Sequence, residues 1–286
     1  MSRHHWFSFF AIVLGAITLS GATVPAAQAQ FVLEPLRAVL NEDTREAEFT
    51  ILNTADRLLQ VNVSMLDLEA TLEGYRPAAP AHRAAISAAP WLTLYPATLS
   101  LEPGARQKIR VRLRAGSSQA IGYERRTHLY VEAGPPRAGI RKVSDTGIGL
   151  DLSVGVSVPV LVRPASIAAP ASVVSTEGAI RFAETTLVRA EDGSILLSSL
   201  LARAHDGLAS KQAPQRSVYG AVCVAGPSLP APACLQNIAL YPDAPGRRVS
   251  VNLKTEALFP GTYHLTYKGR AEDAGQMLAA EDFRIK

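Results

Sequence analysis

The side chains able to do chemistry are few and scattered. His82, His128, His205 and His264 lie far apart, and none sits in an H-E-x-x-H run or an i, i+2 pair that would set two imidazoles on one metal. No G-x-S-x-G elbow or Walker loop occurs, and Gly147-Ile148-Gly149 is a lone G-x-G that reads as a flexible entry to a strand. The acidic pairs Glu42-Asp43, Glu191-Asp192 and Glu281-Asp282 fall in turn-like or terminal contexts, where carboxylates are solvated and not poised as acid and base. The expectation is a non-enzyme with no catalytic residues, no metal and no cofactor.

Cys223 and Cys234 are the only cysteines, and Gly226, Pro227, Pro230 and Pro232 between them mark a turn joining the strand-like runs 217–222 and 235–240. Neither cysteine has a C-x-x-C partner or a neighbouring histidine, so a structural disulfide is expected over a reactive thiol or a metal pair. Closing so short a loop would stabilise the fold by roughly 3 kcal/mol or less in the chain-entropy model. Such a bond needs an oxidising compartment. The N-terminus supplies the address: Arg3, His4 and His5 precede an apolar run from Phe7 to Leu19, and Ala27-Gln28-Ala29 closes it. This is the pattern of a cleaved secretory signal over 1–29, too short for a membrane anchor, which would need about 20 apolar residues. The protein is expected in the periplasm if bacterial.

The elements that must position any site read as strands. Phe49 and Ile51, then Val61, Val63 and Met65, alternate with polar residues across the turn-prone Asn53-Thr54-Ala55-Asp56. Glu102-Pro103-Gly104 is a turn signal, and Lys108-Ile109-Arg110-Val111-Arg112-Leu113-Arg114 after it is apolar on one face and basic on the other. Thr127-His128-Leu129-Tyr130-Val131 follows. Between residues 148 and 162, Leu150, Leu152, Val154, Val156 and Val158 alternate with polar residues and with Pro159, in a run long for a strand. Proline cannot donate to a ladder, so this run reads as an edge strand. The second half repeats the rhythm, and the run 194–201 is read as a strand in preference to a short helix. Residues 70–90, rich in Ala and Pro, exceed a tight strand connection. A composition shift at Arg163-Pro164-Ala165 places a domain boundary there, giving domains 30–164 and 165–286.

With 29 Lys+Arg against 25 Asp+Glu, the positive excess is too small to argue for nucleic acid. Arginine outnumbers lysine 23 to 6, and arginine is the better bidentate partner for carboxylates wherever one has a specific place.

A series of motifs in order resembles the periplasmic pilus-assembly (PapD-like) chaperones of the chaperone-usher pathway. The motifs are Leu36-Arg37-Ala38-Val39, Phe49 to Ile51 with Asn53, Leu101-Glu102-Pro103-Gly104, Tyr123-Glu124-Arg125, Pro135-Pro136, and the alternating strand closed by Arg163-Pro164. They cover roughly residues 31–166. The resemblance implies an all-β fold of two immunoglobulin-like sandwiches with a cleft between them. It implies binding of fimbrial subunits by a lent strand, delivery to an outer-membrane usher, and possible capping of the empty chaperone as a homodimer. Leu150, Leu152 and Val154, with Val156 extending the row, would be the donated side chains, and Arg37, on the first strand, would grip the subunit's C-terminal carboxylate. The family's partner lysine is replaced by Pro159, so either Arg163 or another cation would share that task or this member would bind its client differently, and the chain reads as a divergent member. The competing reading is a structural or adhesive sandwich protein of the periplasm or surface; a hydrolase is the third, disfavoured by the lack of a paired nucleophile and base.

Overall fold

The computed structural model describes residues 30–115, 123–136, 139–144, 147–164, 167, 180–203, 216–270 and 275–286, with backbone alone for 139–144 and 147–151. The expected export signal over 1–29 lies outside them, and residues 165–166, at the expected boundary, do as well.

Two β-sandwiches follow one another. In the first, one sheet has the order β1 (Phe31–Glu34), β3 (Glu46–Asn53), β9 (Arg106–Leu113), β7 (Leu92–Tyr95). The facing sheet runs β2 (Ala38–Leu40), β13 (Val154–Val162), β10 (Arg125–Gly134), β4 (Leu59–Leu66), β8 (Thr98–Leu101). Alternation decides the core. On β9, Ile109, Val111 and Leu113 point inward, while Arg106, Lys108, Arg110 and Arg112 face water. Phe49, Ile51 and Ile109 from one sheet meet Leu59, Val61, Leu129 and Val131 from the other. The Glu102-Pro103-Gly104 turn forms as expected: Gly104 takes φ 72°, and the Ala105 N–H donates to the Glu102 carbonyl at 3.0 Å. Asn53, fully enclosed, donates to the carbonyls of Arg57 at 2.8 Å and Leu101 at 2.9 Å, so the end of β3 is tied to β8.

The second sandwich stacks β14 (Ile180–Arg189), β15 (Ile195–Arg203) and β18 (Gly246–Asn252) on β17 (Ala233–Leu240), β16 (Val218–Ala225), β19 (Gly261–Gly269) and β20 (Met277–Ile285). The run 194–201 is a strand, β15. Leu197, Val249 and Val251 from one sheet pack with Val222, Val224, Leu265 and Tyr267 from the other. Cys223 and Cys234 stand directly opposite on β16 and β17 and are bonded.

Two readings of the sequence change. The run 148–162 is not one strand: β12 (Gly147–Asp151) pairs with β11 (Gly139–Ser144), Leu152 and Ser153 break the ladder, and β13 resumes against β10. It is also only partly an edge. β2 pairs with β13 in parallel over Val160, Leu161 and Val162, and among the described residues no strand lies beside Val154 to Pro159 on that side. Pro159 thus sits where the open edge begins, the place a residue without an N–H can occupy. The long segment before β7 holds a small hairpin, β5 (Leu68–Ala70) with β6 (Tyr75–Pro77), and the seven-residue helix α1 (Pro80–Ile86).

Candidate functional site

The site lies where the two sandwiches meet. Leu161 of β13 packs with Tyr219, Ala239 and Tyr241 of the second sandwich, and Val39 and Ala70 border the cluster. Arg37 is not on the first strand, where the motif places it. It lies in the bend between β1 and β2, where Pro35, lacking an N–H, interrupts the ladder and the chain changes sheets. From that bend its guanidinium lies over the Tyr219 ring, 3.7 Å from the centroid.

Two buried ionic clusters flank these contacts. Arg126 donates to both carboxylate oxygens of Asp243, at 3.0 and 2.8 Å, and to the Leu68 carbonyl at 3.1 Å. Asp243 also accepts the Ala70 N–H at 3.0 Å. Burial is the strongest influence on Arg126 and favours the neutral form, but the Asp243 carboxylate outweighs it together with the neighbouring phenols and holds the guanidinium above its usual value. In the second cluster, Arg163 Nε donates to Glu124 Oε2 at 2.6 Å, and the Ser217 N–H donates to Oε1 at 2.8 Å, with the Ser217 hydroxyl donating to the same oxygen. Glu124 therefore links the end of the first sandwich to the start of β16. Arg163, only 6% exposed, is committed to that linkage and does not present its charge to solvent.

The β5–β6 hairpin adds a third connection. Tyr75 donates to the Tyr241 hydroxyl at 2.9 Å, Tyr219 donates to the same oxygen at 3.0 Å, and the Arg248 N–H donates to the Leu72 carbonyl at 2.7 Å. Arg126 lies over the Tyr241 ring, 3.8 Å from the centroid. The motifs single out Glu124 without its role, and they pass over Arg126, Asp243, Tyr75, Tyr219 and Tyr241. The one signal of this network in the sequence is the unusual length of the segment before β7.

His128 is buried beside this network, edge-on to Tyr75 at 5.1 Å. Burial, and then the positive charge of Arg126, pull its imidazole down to about 3. In the unfolded chain it takes a proton below about 6.5, so stability is complete above that pH and falls as pH drops toward 3, by about 1.4 kcal/mol per unit. Urea unfolding at pH 7 and pH 5 should show a loss of about 2 kcal/mol that His128→Phe lacks; equal slopes in the two proteins would remove His128 as the cause.

At the far end of β13 the row Val160, Val158, Val156, Val154, Leu152 passes from core to solvent. Val160 and Val158 are enclosed, Val156 borders the core, and Val154 and Leu152 are 41% and 56% exposed. Leu150 belongs to the row by number and pairs with Ile140 in the β11–β12 hairpin; its side chain lies outside the described residues. Val154 and the β2 pairing at Val160 are about 20 Å apart at 3.4 Å per residue. The first sandwich therefore carries a cation in the β1–β2 bend, an open strand edge and a row of apolar side chains leaving the core, which is equipment for holding another chain in extended form. The disulfide Cys223–Cys234 lies on β16 and β17 in the second sandwich.

The family model of the pili and flagellar-assembly chaperone PapD N-terminal domain matches residues 30–168. Comparison with curated proteins finds no match. Among solved structures, the chain is similar to the Salmonella enterica SafA pilin–SafB chaperone complex, at 14% identity and a TM-score of 0.47, covering 91% of this chain and 98% of that one. It is similar to the E. coli chaperone DraB at 14% identity and 0.43, covering 90% and 97%, and to the YadV chaperone at 11% identity and 0.44, covering 90% and 100%.

Proposed function

We propose that the protein, whose residues 30–168 match the PapD N-terminal domain family of pili and flagellar-assembly chaperones, binds fimbrial subunits in the periplasm by donor-strand complementation and hands them to an outer-membrane usher. The observation that carries this reading is the open edge of β13 over Val154 to Pro159, with Val154 and Leu152 continuing the core row into solvent. An extended subunit strand gains backbone hydrogen bonds at such an edge, and an incomplete subunit core takes up the alternate apolar side chains, as in chaperone–pilin strand addition generally. Arg37 serves as the anchor for the subunit's C-terminal carboxylate. Arg163, neutralised by Glu124, takes no part.

The test is periplasmic co-expression with a pilin subunit encoded beside this protein, followed by capture on a tag. A one-to-one complex is expected, and Arg37→Ala should weaken it by about 10–100-fold, the worth of a charge-assisted hydrogen bond to a carboxylate. Recovery of the protein only as a self-associated species, with the subunit stable in its absence, would favour an adhesive sandwich and overturn the reading.

A further inference from the structure

We infer that Tyr219, a residue of the second sandwich, is a positioning residue for Arg37, holding its guanidinium over the ring by a cation–π contact. The inference rests on the reading of Arg37 as carboxylate anchor. Pro159 has no charge to offer, and Arg163 is buried against Glu124, so neither offers a second cation beside Arg37. An arginine side chain loses less entropy on gripping a carboxylate the more firmly it is already held.

Tyr219 can hold it. The ring is 5% exposed, wedged against Leu161, and its hydroxyl is fixed on Tyr241, which Tyr75 and Arg126 brace in turn. Burial raises the phenol above its usual range, so the ring facing Arg37 stays neutral. A guanidinium is planar with its N–H groups radiating in the plane, so stacking of its face is compatible with in-plane pairing to a carboxylate. Because Arg37 comes from the first sandwich and Tyr219 from the second, the anchor is assembled only when the two are docked.

The experiment follows arginine side-chain signals of the full protein, labelled with ¹⁵N-arginine, during titration with N-acetyl-dialanine as the free carboxylate and as the amide. The carboxylate should move the Arg37 Nε–H signal saturably and the amide should not. Tyr219→Phe, which keeps the face and loses the hydroxyl, should leave the dissociation constant within about twofold, whereas Tyr219→Leu should raise it about tenfold, the size of a desolvated cation–π contact. A role in folding alone would not separate the carboxylate from the amide. Equal responses of wild type and Tyr219→Leu overturn the assignment of Tyr219 alone; no response of wild-type Arg37 to the carboxylate overturns the anchor reading beneath it. Should Tyr219→Leu not fold, the Arg37 Hδ protons decide: upfield ring-current shifts in wild type and Tyr219→Phe support the stacking, and random-coil positions overturn it.

Discussion

Asp243→Ala is expected to lower the unfolding free energy by about 3–5 kcal/mol, because it leaves the Arg126 guanidinium buried without its counter-charge. Both side chains are nearly enclosed, at 4% and 9% exposure, and the pair is bidentate, so the loss resembles an unpaired buried ion and not a surface salt bridge, whose removal costs about 0–1 kcal/mol. Asp243 also accepts the Ala70 N–H, so the β5–β6 hairpin loses a tie to the second sandwich in the same variant. Calorimetry should then resolve two transitions where the wild type shows one, since Arg126 and Asp243 lie on different sandwiches. Replacing both residues by leucine should recover most of the stability, because an apolar pair carries no desolvation cost. A loss below about 1 kcal/mol in Asp243→Ala would show that water reaches Arg126 and that the pair does not dock the domains.

Leu152→Arg is expected to weaken the subunit complex at least about a hundredfold while changing the stability of the free protein by no more than about 0.5 kcal/mol. The two effects separate because Leu152 is 56% exposed in the free protein, where an arginine is as comfortable as a leucine. In the complex the same position would enter an apolar groove. The variant forfeits about 2 kcal/mol of leucine burial and adds the cost of desolvating a charge. Capture of the co-expressed subunit, with urea unfolding of the free variant as control, reads both numbers. Undiminished capture by a folded Leu152→Arg protein would mean that the exposed row is not what the subunit receives.

Much of the fold was legible because its causes are local. Inward Ile109, Val111 and Leu113 against outward Lys108, Arg110 and Arg112 can be read by counting in twos, and Pro103-Gly104 names its own turn. Two cysteines permit one pairing, and β16 and β17 bring them opposite. The break at Leu152 and Ser153 was not legible, because period-two alternation continues through it; what ends there is the pairing with β10, whose own course turns at Pro135-Pro136.

The arginines divide what sequence and tertiary structure each decide. By itself the sequence determined that strands would alternate, where many of them would turn, that an alternating run preceded Arg163-Pro164, and that Arg37 stood in a motif. It could not distinguish Arg37, Arg126 and Arg163, which share one chemistry. Their fates depend on partners far along the chain: Arg126 meets Asp243 across 117 residues, and Glu124, which neutralises Arg163, reaches Ser217 across 93. Burial and counter-charge are properties of the packed interface and not of local spacing. Arg163 is committed to Glu124 within the first sandwich, and the docking of the two sandwiches pairs Arg126 with Asp243 and lays Arg37 over Tyr219.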